Sequence, residues 1–313
     1  MAGYEKVVVV TKKTALEELI ERFNTREQAK FYLEHMGVSF EEYEAAHAAY
    51  YSALGNVKEA LPPGVRSQWI ERAFVPNFIF GDEDFVVTVG PDGLVVNTAK
   101  YLKGQPLFAV NPDPARIDGV LTAFHADQSA AHLRPALRGE FRRKQVAMAR
   151  VSLNDGQALY AVNDLFVGQR THQSARYQLA LGRQSENQSS SGIIVSTGAG
   201  STGWRRSVLT GAAGIVETFV PGGETHAVRD AYAFDWEADY LGYSVREPFI
   251  SQASSAQMVF GRIDAGQSLT VTSQMPVNGV IFSDGIEEDY LEFNSGSIAE
   301  IGLAERRVNL IVA

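Results

Sequence analysis

The sequence contains no cysteine among its 313 residues, which excludes disulfides, thiol nucleophiles and cysteine-type zinc sites. It also lacks any block of lysine or arginine residues, and its net charge at neutral pH is −9. Proteins that bind nucleic acid duplexes usually carry a basic face, so no nucleic acid partner is expected. No apolar run approaches the ~20 residues that cross a bilayer, so no membrane partner is expected either.

The start of the chain lacks two targeting signals. Residues 1–6 run directly into four consecutive valines, without a basic amphipathic leader or the apolar segment of a secretory signal. The absence of cysteine suits a reducing compartment. These features predict a cytoplasmic protein.

The length and composition predict two globular domains. A domain commonly takes ~150 residues, and the content of 45% hydrophobic and 21% charged residues is that of an ordinary globular protein. In the first third, strands are predicted at 6–11, 85–89 and 107–110, with a helix at about 93–103. Capping boxes predict further helix starts at Thr14, Thr25 and Ser39, and Gly37 and Gly55 are predicted to end helices. Alternating strands and helices favour a mainly parallel sheet.

The pattern changes near residue 140. Residues 144–154 and 157–168 flank Asp155-Gly156, which predicts a β-hairpin, and one helix is predicted to begin near Ser201. The polar stretch 184–191 is predicted to be mobile. Further strands are predicted at 176–181, 192–197, 231–236, 256–263, 268–273, 277–283 and 290–293. We therefore predict an α/β domain over residues 1–139 and a β-rich, antiparallel, sandwich-like domain over 140–297, with residues 298–313 packing back onto the first.

The turn Gly90-Pro91-Asp92-Gly93 lies between a buried strand and a helix. Such a glycine-containing turn often cradles phosphate, yet an aspartate at its centre would repel phosphate. An ordinary β-turn with proline and glycine in their favoured places explains the pattern equally well.

Two further segments place polar residues at strand positions. Asn163-Asp164 lies inside an apolar run, where unpaired polar groups are costly, so either a functional role or a β-bulge or edge position is indicated. Ser283-Asp284-Gly285 follows another strand and fits a routine hairpin turn.

Residues 191–204 form a strand, a loop of small and hydroxyl residues, and the start of a helix. Hydroxyls and helix N–H groups can hold phosphate or sugar oxygens, although a tight packing turn has the same composition. Arg205-Arg206 follow at once, and they either offer charge to an anion or form a solvated pair.

These segments, in this order, resemble the NAD kinase family over nearly the whole chain, and most of all its divergent mitochondrial type in animals and the bacterial relatives of that type. Four more phrases of that type are matched by Asn111-Pro112-Asp113-Pro114, Arg138-Gly139-Glu140, Arg246-Glu247-Pro248 and Phe293-Asn294-Ser295-Gly296. The resemblance implies the fold of NAD kinases and diacylglycerol kinases. In that fold a Rossmann-like α/β domain and a β-rich NAD-binding domain enclose an active-site cleft. It also implies a homodimer or higher homo-oligomer.

The resemblance further implies phosphoryl transfer from ATP, with Mg²⁺, to the 2′-hydroxyl of the adenosine ribose of NAD. The family's signature turn is Gly-Gly-Asp-Gly-Thr, which gives Asp92 the catalytic role. A carboxylate within hydrogen-bond reach of the attacking hydroxyl orients it and accepts its proton. This role explains why the turn contains an aspartate, although an aspartate would repel a phosphate bound there.

The other site residues follow from the family's motifs. Asp164 stands where the family has glutamate, and Trp204 stands where it has a tyrosine and is expected to stack on a ring. No dedicated metal cage is visible. The substrate-binding residues implied are Gly93, Val120, Leu121, Asn163, Asp164, Ser201, Thr202, Trp204 and Ser207, and the phosphate-binding residues are Gly90, Lys12 and Arg205.

Two departures fall where the phosphate donor would approach. Pro91 replaces a glycine and removes a backbone donor, and Leu94 replaces a threonine and removes a hydroxyl. They leave two alternatives open. One is a catalytically weakened protein that binds NAD(P) and regulates, and the other is a kinase of the same fold that acts on another hydroxyl.

Overall fold

The computed structural model describes residues 3–220 and 225–313. Met1 and Ala2, which belong to the chain start used to predict the compartment, lie outside these ranges. The chain divides into a first unit, Met1–Lys144 with Asn309–Ala313, and a second unit, Gln145–Val308. The division lies five residues beyond the predicted boundary, and only the last five residues return to the first unit.

The first unit has a parallel sheet with helices between its strands. The sheet order runs from the last residues of the chain through β4, β3 and β1 to β2, and the short β5 pairs with β4. Its strands are β1 (Lys6–Thr11), β2 (Arg66–Glu71), β3 (Phe85–Val89), β4 (Pro106–Asn111) and β5 (Phe124–His125). Its helices are α1 (Ala15–Phe23), α2 (Arg26–His35), α3 (Phe40–Ala60), α4 (Asp92–Ala99) and α5 (Ser129–Leu137).

Burial explains why the central strands could be predicted. Every residue of β3 and β4 is buried, as expected for parallel strands covered on both faces. The predicted capping box at Thr14 is present, since its side chain accepts from the Glu17 N–H and the Glu17 carboxylate binds back. Thr25 likewise accepts from the Gln28 N–H, whereas Ser39 precedes α3 without a capping bond from its side chain.

In the first unit one prediction was wrong, one strand was not anticipated and one helix ends early. Gly55 does not end a helix but lies inside α3, which runs on to Ala60. Strand β2 was not anticipated, because it is an edge strand whose first four residues are exposed and therefore show no apolar run. The predicted helix after the signature turn ends earlier than expected, at Ala99.

The second unit contains two antiparallel sheets. One has six strands in the order β13-β12-β11-β8-β15-β16, and in the other β10, β9, β14 and β17 are neighbours. Its strands are β6 (Arg142–Leu153), β7 (Ala158–Ala161), β8 (Asp164–Gln169), β9 (Ala175–Leu181), β10 (Gln184–Ser190), β11 (Ile193–Ser196), β12 (Tyr240–Val245), β13 (Phe260–Asp264), β14 (Leu269–Ser273), β15 (Gly279–Ser283), β16 (Ile286–Glu292) and β17 (Ile298–Val312). Its helices are α6 (Trp204–Phe219) and α7 (His226–Asp230).

Side chains from both sheets form one core. Leu165 and Val167 of β8 meet Leu179 of β9 there, together with apolar residues of the neighbouring strands. The alternate residues of β8 face the other way, so that Phe166 belongs to a smaller cluster with Trp204 of α6. The expected sandwich-like, β-rich domain is therefore confirmed.

Several boundaries in the second unit differ from the prediction. The predicted return strand at 157–168 is two strands, β7 and β8, which belong to different sheets and meet at Val162-Asn163. The polar stretch predicted to be mobile is strand β10, paired along its length with β9. Residues 231–236 do not form a strand, and β12 was not anticipated. Only Asn309–Ala313, rather than all of 298–313, belongs to the first unit, because the start of β17 pairs with β14.

The helices of the described ranges show no candidate for crossing a membrane, since none is both long and apolar enough. The longest, α3, has 21 residues and carries Glu41, Glu42 and Lys58 near its ends.

The course of α3 can be tested at Gly55. No described atom lies within 4 Å of a Cβ built there, so Gly55→Ala should stabilise the protein by ~0.5–1 kcal/mol through helix propensity. Gly37 is the matched control, because its φ of +72° lies in a region that costs other residues ~1–2 kcal/mol. Urea denaturation of both variants checks this. Destabilisation by Gly55→Ala as large as that by Gly37→Ala would mean that the helix ends at Gly55.

Candidate functional site

The Asp92 side chain is held by a loop of the same unit. Asp92 begins α4, and Gly90 and Pro91 separate it from the end of β3. Its Oδ2 accepts the Val120 N–H at 2.8 Å, and its Oδ1 accepts the Leu121 N–H at 2.9 Å and the Thr122 hydroxyl at 3.5 Å. An ionised carboxylate has about four acceptor positions. Oδ2 therefore keeps an acceptor position for a further hydroxyl.

The loop at 119–122 owes its shape to Gly119, which has a φ of +63°. A Cβ at this position would collide with the side chains of Thr122 and Asn111. Asn111 also braces the preceding segment, since its Nδ2 donates to the Ile117 carbonyl at 2.8 Å. The resemblance implied apolar contacts from Val120 and Leu121, but Leu121 is buried and Val120 is 56% exposed. Their N–H groups, which the sequence did not single out, hold Asp92.

The signature turn packs tightly and uses one of its donors internally. The Gly90 N–H donates to the Val110 carbonyl at 3.1 Å, so a phosphate could receive it only if this bond were given up. A Cβ at Gly90 would lie 2.7 Å from the buried Leu94 side chain. Leu94, in place of the family's threonine, thus fills the space beneath the turn. Gly93 is exposed in the first turn of α4, where N–H groups have no partner within the helix.

A cavity of about 460 Å³ opens in the first unit at the end of β1 and beside the signature turn. Lys12, His47 and Arg116 bring three basic side chains to its wall, and Pro91 also lines it. Arg116 Nη1 donates to Asp113 Oδ2 at 2.6 Å, which leaves other guanidinium N–H groups for a ligand. Lys12 was predicted to bind phosphate, whereas His47 and Arg116 were not, because α3 and the loop after β4 meet Lys12 only in the fold.

Tyr50 ties the strand ends at this cavity together. Its hydroxyl accepts the Lys12 N–H at 2.8 Å and donates to the Val89 carbonyl at 3.2 Å. Burial raises the pKa of Tyr50 to about 12, so the hydroxyl stays protonated and keeps its donor. His47 is oriented through its Nδ1, which lies 2.9 Å from the Thr14 hydroxyl.

In the second unit, Asp284 anchors the Asn163-Asp164 segment. Its carboxylate accepts the N–H groups of Val162, Asn163 and Asp164 at 2.7–3.3 Å. Asp284 has a φ of +55°, and its own N–H donates to the Asp164 carbonyl at 2.9 Å. The segment that fits a routine hairpin turn is therefore part of the candidate site. Three consecutive N–H groups are satisfied by one carboxylate, where β7 ends and β8 begins in the other sheet.

Asp164 is the most strongly perturbed acid of this segment. Burial raises the pKa of the Asp164 carboxyl to about 7. A hydrogen bond from the Ser196 hydroxyl opposes the shift, the charge of Asp284 adds to it, and Arg205 opposes it. The carboxyl thus titrates near neutral pH. Asn163 contributes an Oδ1 that is buried without a hydrogen-bond partner among the described residues.

Arg205 lies inside the second unit, only 6% exposed. Its guanidinium is 4.4 Å from the Phe260 ring centroid and 5.7 Å from that of Phe234. Gly242 leaves it room, since a Cβ there would collide with the guanidinium. Nε and Nη1 have no hydrogen-bond partner within the described ranges. A phosphate could use Arg205 only by reaching beneath the surface, and the solvated pair with Arg206, the alternative that the sequence left open, is not formed.

The glycines of the loop at 197–203 serve tight backbone packing, the alternative that its composition left open. A Cβ at Gly198 would collide with the Asp235 carbonyl, and one at Gly200 with the Asn163 carbonyl. Ser201 is completely buried and donates to the Gly198 carbonyl at 2.7 Å. Its hydroxyl therefore shapes the loop instead of facing a ligand.

The remaining predicted residues lie at the start of α6. Thr202 and Ser207 are exposed there, and both hydroxyls can be reached by a ligand. The Trp204 ring stacks on Phe166, with centroids 5.6 Å apart and planes 11° apart, and the Arg246 guanidinium lies 5.4 Å from it. Trp204 therefore already has stacking partners within the protein.

No group of three or more histidine, aspartate or glutamate side chains arranged to hold a metal occurs in the part of the chain that the structure describes. Glu42 and Asp113 are the carboxylates that line the basic cavity, and Asp113 is paired with Arg116. These residues do not form a metal site of their own.

The fold is that of the NAD kinases. An NAD kinase from Archaeoglobus fulgidus, solved in complex with ATP, matches with a TM-score of 0.57 and 17% identity over 97% of this chain and 92% of that one. Yeast NADH kinase, solved with NADH, matches with a TM-score of 0.60 and 12% identity over 98% of this chain and 83% of that one. Because both sequence identities are this low, the two matches show a similarity of fold only.

In sequence, an NAD kinase of Delftia acidovorans is 34% identical over 131 residues. The match covers 39% of this chain and 42% of the relative, less than half of its length. No family model matches the sequence. The resemblance to the NAD kinase family that the motifs indicated is thus confirmed in both sequence and fold.

The raised pKa of Asp164 predicts how stability depends on pH. The folded protein keeps this proton up to about pH 7, whereas an unfolded aspartate releases it near pH 4. The unfolded state therefore binds fewer protons between these values, so the contribution of Asp164 to stability falls as the pH rises through this window. Asp164→Asn has no carboxyl group at this position, so its stability should not fall in this way.

Chemical denaturation of Asp164→Asn and the wild type at pH 4.5, 6, 7 and 8 measures the effect. The free energy of unfolding of the variant, relative to the wild type, should rise across the series by up to about 1.4 kcal/mol for each unit of pKa shift. A difference between the two proteins that does not change with pH would show that Asp164 is not a perturbed acid.

Proposed function

We propose that the protein is an NAD kinase, which transfers the terminal phosphoryl group of ATP to the 2′-hydroxyl of the adenosine ribose of NAD and so makes NADP. The observation that carries this proposal is the Asp92 carboxylate, fixed by the N–H groups of Val120 and Leu121 with an acceptor position left on Oδ2. Its place in a signature turn of the NAD kinase type, within the fold of that family, supports the same activity.

In this proposal Asp92 accepts a hydrogen bond from the ribose hydroxyl and aims its oxygen at the terminal phosphorus. As the new O–P bond forms, the proton passes to the carboxylate, and the bond to the leaving oxygen of ADP breaks with its electron pair. Such a base typically contributes a factor of ~10²–10⁴ to the rate. The backbone N–H groups keep the carboxylate in place for this transfer.

The cavity beside the signature turn supplies the binding site for the donor in this proposal. Pro91 offers no N–H and Leu94 no hydroxyl, and the Gly90 N–H is engaged by Val110. Basic side chains are the available substitute, and Lys12, His47 and Arg116 line the cavity together with the carboxylates of Glu42 and Asp113. The Archaeoglobus enzyme of the same fold binds ATP in its crystal structure. Mg²⁺ would enter as the counter-ion of the donor phosphates, since the described residues form no metal site of their own.

The polar residues of the second unit are the proposed contacts for the dinucleotide. Asn163 and Asp164 are held by Asp284, and the hydroxyls of Thr202 and Ser207 are exposed at the start of α6. Asp164 reaches one methylene less far than the glutamate of the family. The yeast enzyme of the same fold is complexed with NADH in its crystal structure. A cytoplasmic location and a homodimeric or larger assembly complete the proposal.

A second candidate function follows from the occupied donors of the signature turn. Because Gly90 and Pro91 offer a phosphate no free N–H, the protein would bind NAD(P) and regulate without turnover. Incubation of the purified protein with ATP, Mg²⁺ and NAD separates the candidates. NADP formation supports the kinase, and NAD binding without turnover, also with polyphosphate as donor, supports the regulator. Neither binding nor turnover would point to another hydroxyl as substrate.

The role of Asp92 predicts the outcome of Asp92→Asn. The amide cannot accept the proton, so kcat should fall by a factor of ~10²–10⁴ while the dissociation constant of NAD changes little. Steady-state assays of NADP formation and calorimetric titration with NAD measure the two quantities. Because the amide also places an NH₂ group against a loop N–H, thermal unfolding must be compared with that of the wild type. A stable variant with wild-type turnover would refute the role of Asp92.

The proposed donor cavity predicts a selective effect of Lys12→Gln. Loss of this cation should raise the KM for ATP roughly tenfold, the value of one charged hydrogen bond, and leave the KM for NAD unchanged. The neighbouring Lys13→Gln is the matched control, because Lys13 is exposed and paired with Glu21. Equal KM values for ATP in the two variants would place the donor elsewhere.

A further inference from the structure

A chain of hydrogen bonds in the first unit ends on His47, in the wall of the cavity beside the signature turn. His47 belongs to α3, and its Nδ1 lies 2.9 Å from the hydroxyl oxygen of Thr14, which precedes α1. The same hydroxyl donates to Oε2 of Glu17, in the first turn of α1, at 3.0 Å. One ring nitrogen of His47 thus has a fixed partner, and that partner is tied to a carboxylate.

Glu17 is the acceptor at the other end of this chain. Its carboxylate also accepts the Thr14 N–H at 2.7 Å and the hydroxyl of Tyr51. Burial raises the pKa of Glu17, but the hydrogen bonds from Thr14 and Tyr51 and the charge of His47 outweigh burial and lower it overall. Glu17 is therefore ionised at neutral pH, and an ionised carboxylate only accepts hydrogen bonds.

These contacts decide which nitrogen of the His47 ring carries a proton. A threonine hydroxyl has one hydrogen to donate. Because Glu17 only accepts, this hydrogen points to Glu17, and the Thr14 oxygen is left to accept from His47 Nδ1. Nδ1 is therefore the protonated nitrogen of the neutral ring, and Nε2 carries a lone pair. In this state Nε2 needs a donor, which an ionised phosphate does not provide.

The surroundings of His47 favour a second proton when an anion is bound. The charged and titratable side chains that contact its ring, join its hydrogen-bond chain or share its cavity are Lys12, Glu17, Glu42, Tyr43, Tyr50, Tyr51, Asp113 and Arg116. The negative charge of Glu17 favours the imidazolium, whereas the charge of Lys12 opposes it. A phosphate in the cavity adds negative charge, so its binding favours uptake of a proton by His47.

We propose that His47 is a proton-dependent contact for the phosphates of the donor, which takes up a proton at Nε2 on binding and donates this charged N–H to a phosphate oxygen. His47 has this role only if the donor occupies the cavity, as the proposed function states. The proton comes from the solvent, and no other bond forms or breaks in this step. Histidine side chains change their charge between about pH 5 and 8, so the contact forms at the acidic end of this range and is lost as the pH rises.

Calorimetric titration of the full-length protein and of His47→Gln with ADP tests the proposal at pH 6 and 8, with Mg²⁺ present and NAD absent. At pH 6 the wild type should bind ADP roughly tenfold more tightly than the variant, the value of one charged hydrogen bond. At pH 8 the two affinities should be nearly equal. Titration of ADP itself is common to both proteins and cancels in the ratio. A ratio that does not change with pH would overturn the proposal.

The proton itself can be counted at pH 7.5, in two buffers that differ in their enthalpy of ionisation. The wild type should take up more protons for each ADP bound than His47→Gln, by a difference of up to about one, because an imidazole binds one further proton. A merely structural role of His47 would change the affinity but not this difference. Equal proton uptake by the two proteins would overturn the proposal.

Variants of Thr14 test the assignment of the ring protons. Thr14→Ser keeps the hydroxyl and should keep the pH dependence of the wild type. In Thr14→Val the neutral ring is free to carry its proton on Nε2 and to donate it to phosphate, so ADP affinity should fall less between pH 6 and 8. Since Thr14 also caps α1, thermal unfolding of both variants is compared with the wild type. The same fall in all three folded proteins would refute the assignment.

Lys12→Gln separates a failure at His47 from a failure of the donor cavity. A lysine stays charged at both pH values, so this variant should weaken ADP binding by a similar factor at pH 6 and 8. If it does so while His47→Gln keeps the pH dependence of the wild type, the donor occupies the cavity and the role of His47 is wrong. If neither variant changes ADP binding, or if ADP does not bind at millimolar concentration, the donor cavity and the role of His47 are both wrong.

Discussion

In each of the two units, consecutive backbone N–H groups hold a carboxylate on which that unit's candidate site residues depend. Asp92 accepts the N–H groups of Val120 and Leu121, and Asp284 accepts those of Val162, Asn163 and Asp164. Unpaired backbone donors at a chain bend are costly to bury, so each carboxylate fixes the course of a loop at the same time as the loop fixes the carboxylate. This reciprocity lets Asp92 keep its orientation without a cation beside it.

The parts of the fold that the sequence predicted are those governed by local chemistry. β3 and β4 are continuous apolar runs because they are buried on both faces, and the Thr14 capping box is decided within four residues. Predictions failed where a distant partner decides. β10 is polar and looks mobile alone, but β9 pairs with every residue of it. Gly55 resembles a helix end, yet the packing of α3 in the first unit carries the helix past it.

The same distinction applies to the site. Asp92 could be singled out from its turn, and Asn163-Asp164 from the cost of polar residues in an apolar run. The N–H groups of Val120 and Leu121 carry no signal in side-chain identity, so their part was invisible, and the apolar side chains were assigned the contact instead. Arg205 was expected to bind phosphate, but its side chain is buried. Its burial depends on Gly242, a residue 37 positions later whose missing side chain makes room for the guanidinium.

The departures from the family's signature turn form one packing unit. Leu94 is buried against Gly90, in a place where the hydroxyl of a threonine would be buried too. Pro91 directly precedes α4, a position where its missing N–H costs little. The turn is thereby stiffened and made more apolar, and it loses donors for a phosphate. Lys12, His47 and Arg116 stand on three separate segments around Pro91, so in the proposed function the charge for the donor would come from side chains instead of backbone N–H groups. Because such side chains are longer and more mobile than a glycine turn, donor binding in this chain should rest more on charge, and so be more sensitive to salt, than in relatives with the full glycine signature.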